Sequence, residues 1–188
     1  MSDRTEQEAA LRTAEFAALR QTIAARGTAR ALIAPVACAV WAVLALVVVL
    51  YADLPVATLL SLAVLVGGFE AVHALHAGVE RIGRYLQVYY EGTPGGPQWE
   101  TAAMTVGPSL PGGGVDPLFS VVFVIASLLN LGAAALVPQS TWAEVSFVGA
   151  FHAGFVFRVV RARVAAARQR AVELESFKAL LQRNRPNL

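Results

Sequence analysis

Four side chains recur at helical spacing within one stretch of the chain: Glu70, His73, His76 and Glu80, in the order Glu-x-x-His-x-x-His-x-x-x-Glu. At 100° per residue they fall within roughly 120° of arc, so a helix carrying them presents two carboxylates and two imidazoles on one side. This is the donor chemistry of di-iron helix bundles, where Glu-x-x-His occurs on each of two helices and a further Glu comes from each of two others. Here Glu-x-x-His occurs once, and the apolar stretches 31–52 and 118–137 hold no carboxylate or imidazole. A complete di-iron site therefore cannot be assembled within one chain. A mononuclear metal or a haem held by His73 or His76 with His152 is the second chemical option, since neutral imidazole suits both. Helical rise puts His152 about 15 Å beyond Trp142, at a different depth from His73, which counts against it. No metal and no cofactor are expected.

The same residues have a structural explanation that needs fewer partners. Glu70 lies about 22 Å along a helix begun at Pro55, and Arg158 about 24 Å along one begun at Trp142, so the two match in depth and suit an interhelical ion pair. His152 and Arg158 differ by about 120° around their helix, so His152 faces another neighbour. Asn130 or Ser127 is the expected hydrogen-bond partner. Glu80 has an ordinary companion in Arg84 at i+4. Ser146, Ala150 and Gly154 recur every four residues, with Gly149 and Ala153 adjacent; small residues at this spacing let helix backbones approach closely, within the chain or between copies.

The elements that position these side chains are membrane-length helices. The chain has 188 residues, 56% of them apolar, a mean hydropathy of +0.57, and hydrophobicity too concentrated for an ordinary soluble core. Residues 31–52 carry no charge and span about 33 Å as a helix, enough for a bilayer's hydrocarbon core. Further crossings are expected from Pro55, from Leu118 to Val137, and from Trp142 to about Phe157. The fold class expected is all-α, a polytopic membrane protein with a four-transmembrane-helix bundle and cytoplasmic helical extensions. Residues 1–27 form a cytoplasmic amphipathic helix, opened by a Thr5-x-x-Glu8 capping box and interrupted at Gly27. Residues 28–91 hold crossings one and two with an extension of the second; Asp53 caps that second helix and Pro55 begins it. Residues 92–116 are a Gly/Pro-rich cytoplasmic loop with one short helical turn or extended segment after Trp99. Residues 117–157 hold crossings three and four, the third opened by Asp116-Pro117, and 158–188 form a C-terminal helical extension.

Charge sets the orientation. Five Arg precede the first apolar stretch, Arg81 and Arg84 follow the second, and eight basic residues run from Arg158 to Arg185, while the connections around Asp53 and Gln139 have none. With four crossings, all three basic regions share one face, which the positive-inside bias assigns to the cytoplasm. Expected partners are the lipid bilayer, anionic headgroups at that face, and a protein partner or a second copy of the chain; nucleic acid is not one. Arg outnumbers Lys fourteen to one, which suits a GC-rich bacterial genome and hence an inner membrane. Cys38 stands alone, so no intrachain disulfide forms. The polar start with Asp3, Glu6, Glu8 and Glu15 is unlike a secretory signal, and no cleavage is expected.

Glu80-Arg81-Ile82-Gly83-Arg84 followed by Glu91 resembles part of the glutathione-binding helix signature of the four-helix membrane eicosanoid and glutathione transferase family. The likeness covers twelve residues; Val88 stands where that family has Asn, and the signature opens a membrane helix there but closes one here. The chain is not assigned to the family. P-loop, nucleophile-elbow and dinucleotide patterns are absent from the sequence. Three function classes follow: an accessory, scaffold or regulatory subunit acting through cytoplasmic helices, which is preferred; a membrane enzyme or redox protein centred on the His/Glu residues; and a proton-coupled oligomeric transporter using Glu70.

Overall fold

A computed structural model describes residues 2–92, 96–106, 118–138 and 140–183. Every regular element among them is helical: α1 (Ser2–Tyr51), a 3-10 turn (Pro55–Ala57), α2 (Thr58–Tyr89), α3 (Trp99–Val106), α4 (Ser120–Leu136) and α5 (Trp142–Arg183). Three helices are long and apolar enough to cross a membrane, namely Arg4–Tyr51, Pro55–Tyr89 and Trp142–Arg183, and α4 is a shorter apolar helix of 17 residues. Leu32, Val36, Val43, Leu46 and Leu60 are among many large apolar side chains left exposed. Apolar surface on that scale suits lipid rather than water.

Several boundaries differ from the sequence expectation. The break at Gly27 is absent, and α1 runs unbroken for 50 residues. One Gly costs a helix about 1 kcal/mol relative to Ala, and the Ala, Arg, Leu and Glu around it are strong helix formers. Thr5 accordingly lies inside the helix rather than capping it, and Pro35 is interior to α1. Asp53 does not cap: Leu54 occupies the N-cap position of the 3-10 turn without a side-chain bond, and the Thr58 hydroxyl instead donates to the Pro55 carbonyl at 2.7 Å. α4 begins at Ser120, after Phe119 in a left-handed conformation with φ 51°, a strained geometry for a bulky residue. The cap expected at Asp116-Pro117, most of the Gly/Pro-rich loop (93–95 and 107–116), Gln139 and residues 184–188 lie outside the described residues. Thr141-x-x-Glu144 forms a capping box at the start of α5, with the Thr141 amide and hydroxyl donating to Glu144 Oε2 at 2.9 and 2.8 Å and the Glu144 amide to Thr141 Oγ1 at 3.3 Å.

The chain divides into two compact units. The apolar unit comprises Arg30–Ala74 and Asp116–Ala167. Its core centres on Phe69, fully buried, with Phe123 and Phe155 edge-on to its ring at centroid distances of 5.5 and 5.9 Å, and Leu62, Leu65, Val72 and Val159 around them. Gly68 is required here, because a Cβ would collide with the Ala37 methyl and lie 3.6 Å from the Phe123 ring. The polar unit comprises Met1–Ala29, Leu75–Val115 and Arg168–Leu188. Within it Tyr85, Tyr89 and Tyr90 pack toward the N-terminal part of α1, with the Phe16 ring 5.3 Å from that of Tyr90. α3 is anchored by the Glu91 carboxylate, which accepts from the Glu100 and Thr101 amides and the Thr101 hydroxyl. An anion at a helix N-terminus satisfies amides that have no partner inside the helix. On α3 Trp99 is 64% exposed, whereas Met104 is half-buried and lines a cavity.

Candidate functional site

Each unit contains polar chemistry. In the apolar unit it is centred on Asn130, which is fully buried on α4. Its Oδ1 accepts from Ser61 Oγ at 2.6 Å and from Trp41 Nε1 at 3.2 Å, while its Nδ2 donates to the Thr58 carbonyl at 2.9 Å and meets His152 Nε2 at 3.0 Å. Trp41 can only donate and the Thr58 carbonyl can only accept, so the orientation of the carboxamide is determined by its neighbours. His152 must therefore offer a lone pair at Nε2, and its Nδ1–H donates to the Val148 carbonyl at 2.9 Å. Both ring nitrogens are thus engaged in the neutral imidazole, and a metal could bind only by displacing Asn130. One carboxamide joins α1, α2, α4 and α5. His152 pairs with Asn130 and not with Ser127, whose buried hydroxyl has no partner among the described residues.

Also in the apolar unit, Arg158 Nη2 lies 2.7 Å from Glu70 Oε2, with the side chains 41% and 42% exposed. The Arg158 guanidinium sits 5.9 Å from the Phe69 ring centroid, and His73 stacks against the same ring at 6.1 Å. Phe69 thus carries the pair's apolar surroundings on one side. Ser146, Ala150 and Gly154 are exposed on α5.

His76 and Glu80 belong to the polar unit. His76 is buried there. Glu80 accepts from Arg84 at 3.1 Å and from Arg170 at 3.2 Å. Arg84, itself buried, also pairs with Glu173, which receives Arg81 at 3.3 Å and the Gln169 amide at 2.7 Å. Two carboxylates and three guanidiniums form one network between α2 and α5, a charge-assisted arrangement that pairs both terminal nitrogens of the buried Arg84 guanidinium and leaves its Nε without a partner among the described residues. Arg20 pairs with Glu100 at 2.7 Å, joining α1 to α3. Burial pushes the Glu100 carboxyl above its usual range, with Arg20 acting against that shift. A cavity of about 60 Å³ is lined by Glu80, Gly83, Arg84, Glu100, Met104 and Arg170 among others.

The Glu70–Glu80 constellation thus resolves into separate tasks. Glu70 is in an ion pair, His73 is stacked on Phe69, and Glu80 is held by two guanidiniums. Among the described residues no group of three or more His, Cys, Asp or Glu is arranged to hold a metal ion. Arg20, Glu100, Arg170 and Glu173 were not singled out from sequence. Their pairing across 80 to 92 positions left no local signal. Comparison of the chain with protein-family models, with curated proteins and with solved structures gives no match.

Proposed function

We propose that this protein is a multi-pass protein of a bacterial inner membrane, with four crossings and both termini in the cytoplasm, serving as an accessory, scaffold or regulatory subunit through its polar helical unit. The observation that carries this reading is the division of chemistry between the units. In the apolar unit the buried Asn130 carboxamide is fully paired and Glu70 is held in an ion pair with Arg158. Extended ionic and aromatic surfaces are concentrated in the unit made from Met1–Ala29, Leu75–Val115 and Arg168–Leu188.

α4 is counted as a crossing because 17 residues span about 26 Å, and Leu118, Phe119 and Val137 beside it bring the apolar length close to the ~30 Å hydrocarbon core. Four crossings then place every basic segment on one face. Reporter fusions at Ser2, Gly95 and Leu188 are expected to read cytoplasm, and an insertion at Gln139 the outside; a periplasmic signal at Gly95 overturns the topology. For the role itself, a photo-crosslinker at Val172 or Leu180, both exposed on α5, is expected to trap a membrane-protein partner whose assembly fails when this chain is deleted. A purified chain that turns over a substrate unaided overturns the accessory role.

A further inference from the structure

A second concavity of the polar unit is of a different kind from the ionic cavity at Arg84. It is an open cleft of about 370 Å³ lined by Arg12, Thr13, Phe16, Tyr89, Tyr90 and Pro97, with mostly apolar walls. That volume falls in the range of small-molecule sites, which pair apolar walls with a few polar groups. The walls are held in place without a ligand. Glu15 uses one carboxylate oxygen to accept from Tyr85 at 2.8 Å and the other to accept from Tyr90 at 2.7 Å. Tyr89 stacks on Tyr85 at 4.5 Å, and the Phe16 ring lies 5.3 Å from Tyr90. Rings fixed in this way lose little freedom when a guest is bound.

The charge at the cleft selects the guest. Arg12 contributes a guanidinium to the lining, and no ion pair within 4 Å involves it among the described residues. The neighbouring carboxylate, Glu15, attracts Arg12 electrostatically, but its two oxygens each accept a hydrogen bond from a tyrosine hydroxyl. A cation, which aromatic walls alone would attract, is repelled by Arg12. A guanidinium beside flat aromatic surfaces fits a carboxylate, bonded in bidentate fashion, that is attached to a ring able to stack on Tyr89, Tyr90 or Phe16.

We propose that this cleft is a binding site for a small aromatic carboxylate, with Arg12 anchoring the anion and Phe16, Tyr89 and Tyr90 holding the ring. The test uses full-length protein in phosphatidylcholine nanodiscs, equilibrium dialysis, and two probes: 1-naphthoate and its uncharged analogue 1-naphthamide. Naphthoate is expected to bind saturably at one per chain, and more tightly than naphthamide. Arg12→Gln, at an exposed position, is expected to weaken naphthoate about five-fold, the upper range for an exposed ion pair, and to leave naphthamide unchanged. Phe16→Leu is expected to weaken both probes, with unchanged helical circular dichroism showing that the fold is intact. Repeating the titration in nanodiscs containing phosphatidylglycerol is expected to leave the naphthoate Kd unchanged. Absence of saturable binding, equal affinity for the two probes, or an Arg12→Gln protein that binds naphthoate normally overturns the proposal. So does loss of naphthoate binding in phosphatidylglycerol, which gives the cleft to a lipid headgroup instead.

Discussion

Replacing Asn130 by Leu keeps the branching and heavy-atom count of the side chain and removes every hydrogen bond that the carboxamide makes at the centre of the apolar unit. Four contacts are lost, to Ser61, Trp41, the Thr58 carbonyl and His152. Hydrogen bonds between helices in a membrane average about 0.6 kcal/mol, so the four together are worth about 2 kcal/mol. The partners do not suffer equally. Ser61 retains its bond to the Thr58 carbonyl at 2.9 Å and Trp41 is only partly buried, whereas the His152 lone pair is left without a partner in an apolar interior. An orphaned buried polar atom costs about 1–3 kcal/mol, which brings the expected loss to about 3–5 kcal/mol. At about 2–4 °C per kcal/mol for a domain of this size, Tm falls by about 6–20 °C. Thermal unfolding in a mild detergent, followed by circular dichroism, measures it. A double-mutant cycle with His152→Phe isolates the Asn130–His152 term, expected at about 0.6–1.7 kcal/mol. An Asn130→Leu protein with unchanged Tm would falsify the claim that this carboxamide ties four helices together.

Glu70→Gln is expected to lower thermal stability, with the loss partly recovered or masked by Arg158→Gln; because both side chains are about two-fifths exposed, the coupling should be at most about 1 kcal/mol. A cycle with zero coupling rejects the pair. Protein purified without chelator is expected to carry no stoichiometric haem, iron or zinc, checked by absorbance and elemental analysis. A Soret band, or one metal per chain that disappears in His73→Ala or His76→Ala, replaces the scaffold reading with the redox one. Burial raises the Glu100 carboxyl above its ordinary value of 4.5, so the folded state holds that proton more tightly than the unfolded state does. This contribution favours the folded state below pH 4.5 and declines as pH rises from there through the raised value. Glu100→Gln should therefore flatten that part of the stability–pH curve; a curve identical to wild type removes Glu100 as its source.

The four apolar stretches, the all-helical class and the clustering of Arg beside them are legible in sequence because each depends on residues a few positions apart and on the solvent around them. A helix needs only local propensity, and a crossing needs only apolar length. Glu80–Arg84 and Thr141–Glu144 are legible for the same reason, being one turn apart on one helix. Local signals misled where a weak one met a strong one: Gly27 alone could not end a helix surrounded by Ala and Arg, and Asp53 yielded its capping place to Leu54. Only the tertiary structure decided which partners meet. Asn130 selects Trp41, Ser61 and His152 across 89, 69 and 22 positions, and Arg84 reaches Glu173 across 89. Those choices depend on the rotation and axial register of whole helices, which are set by close packing such as Ala37 against Gly68 and Phe69 against Phe123 and Phe155. Because a one-residue shift in register turns a side chain by about 100°, pairing between helices is a property of the packed bundle rather than of any segment in it.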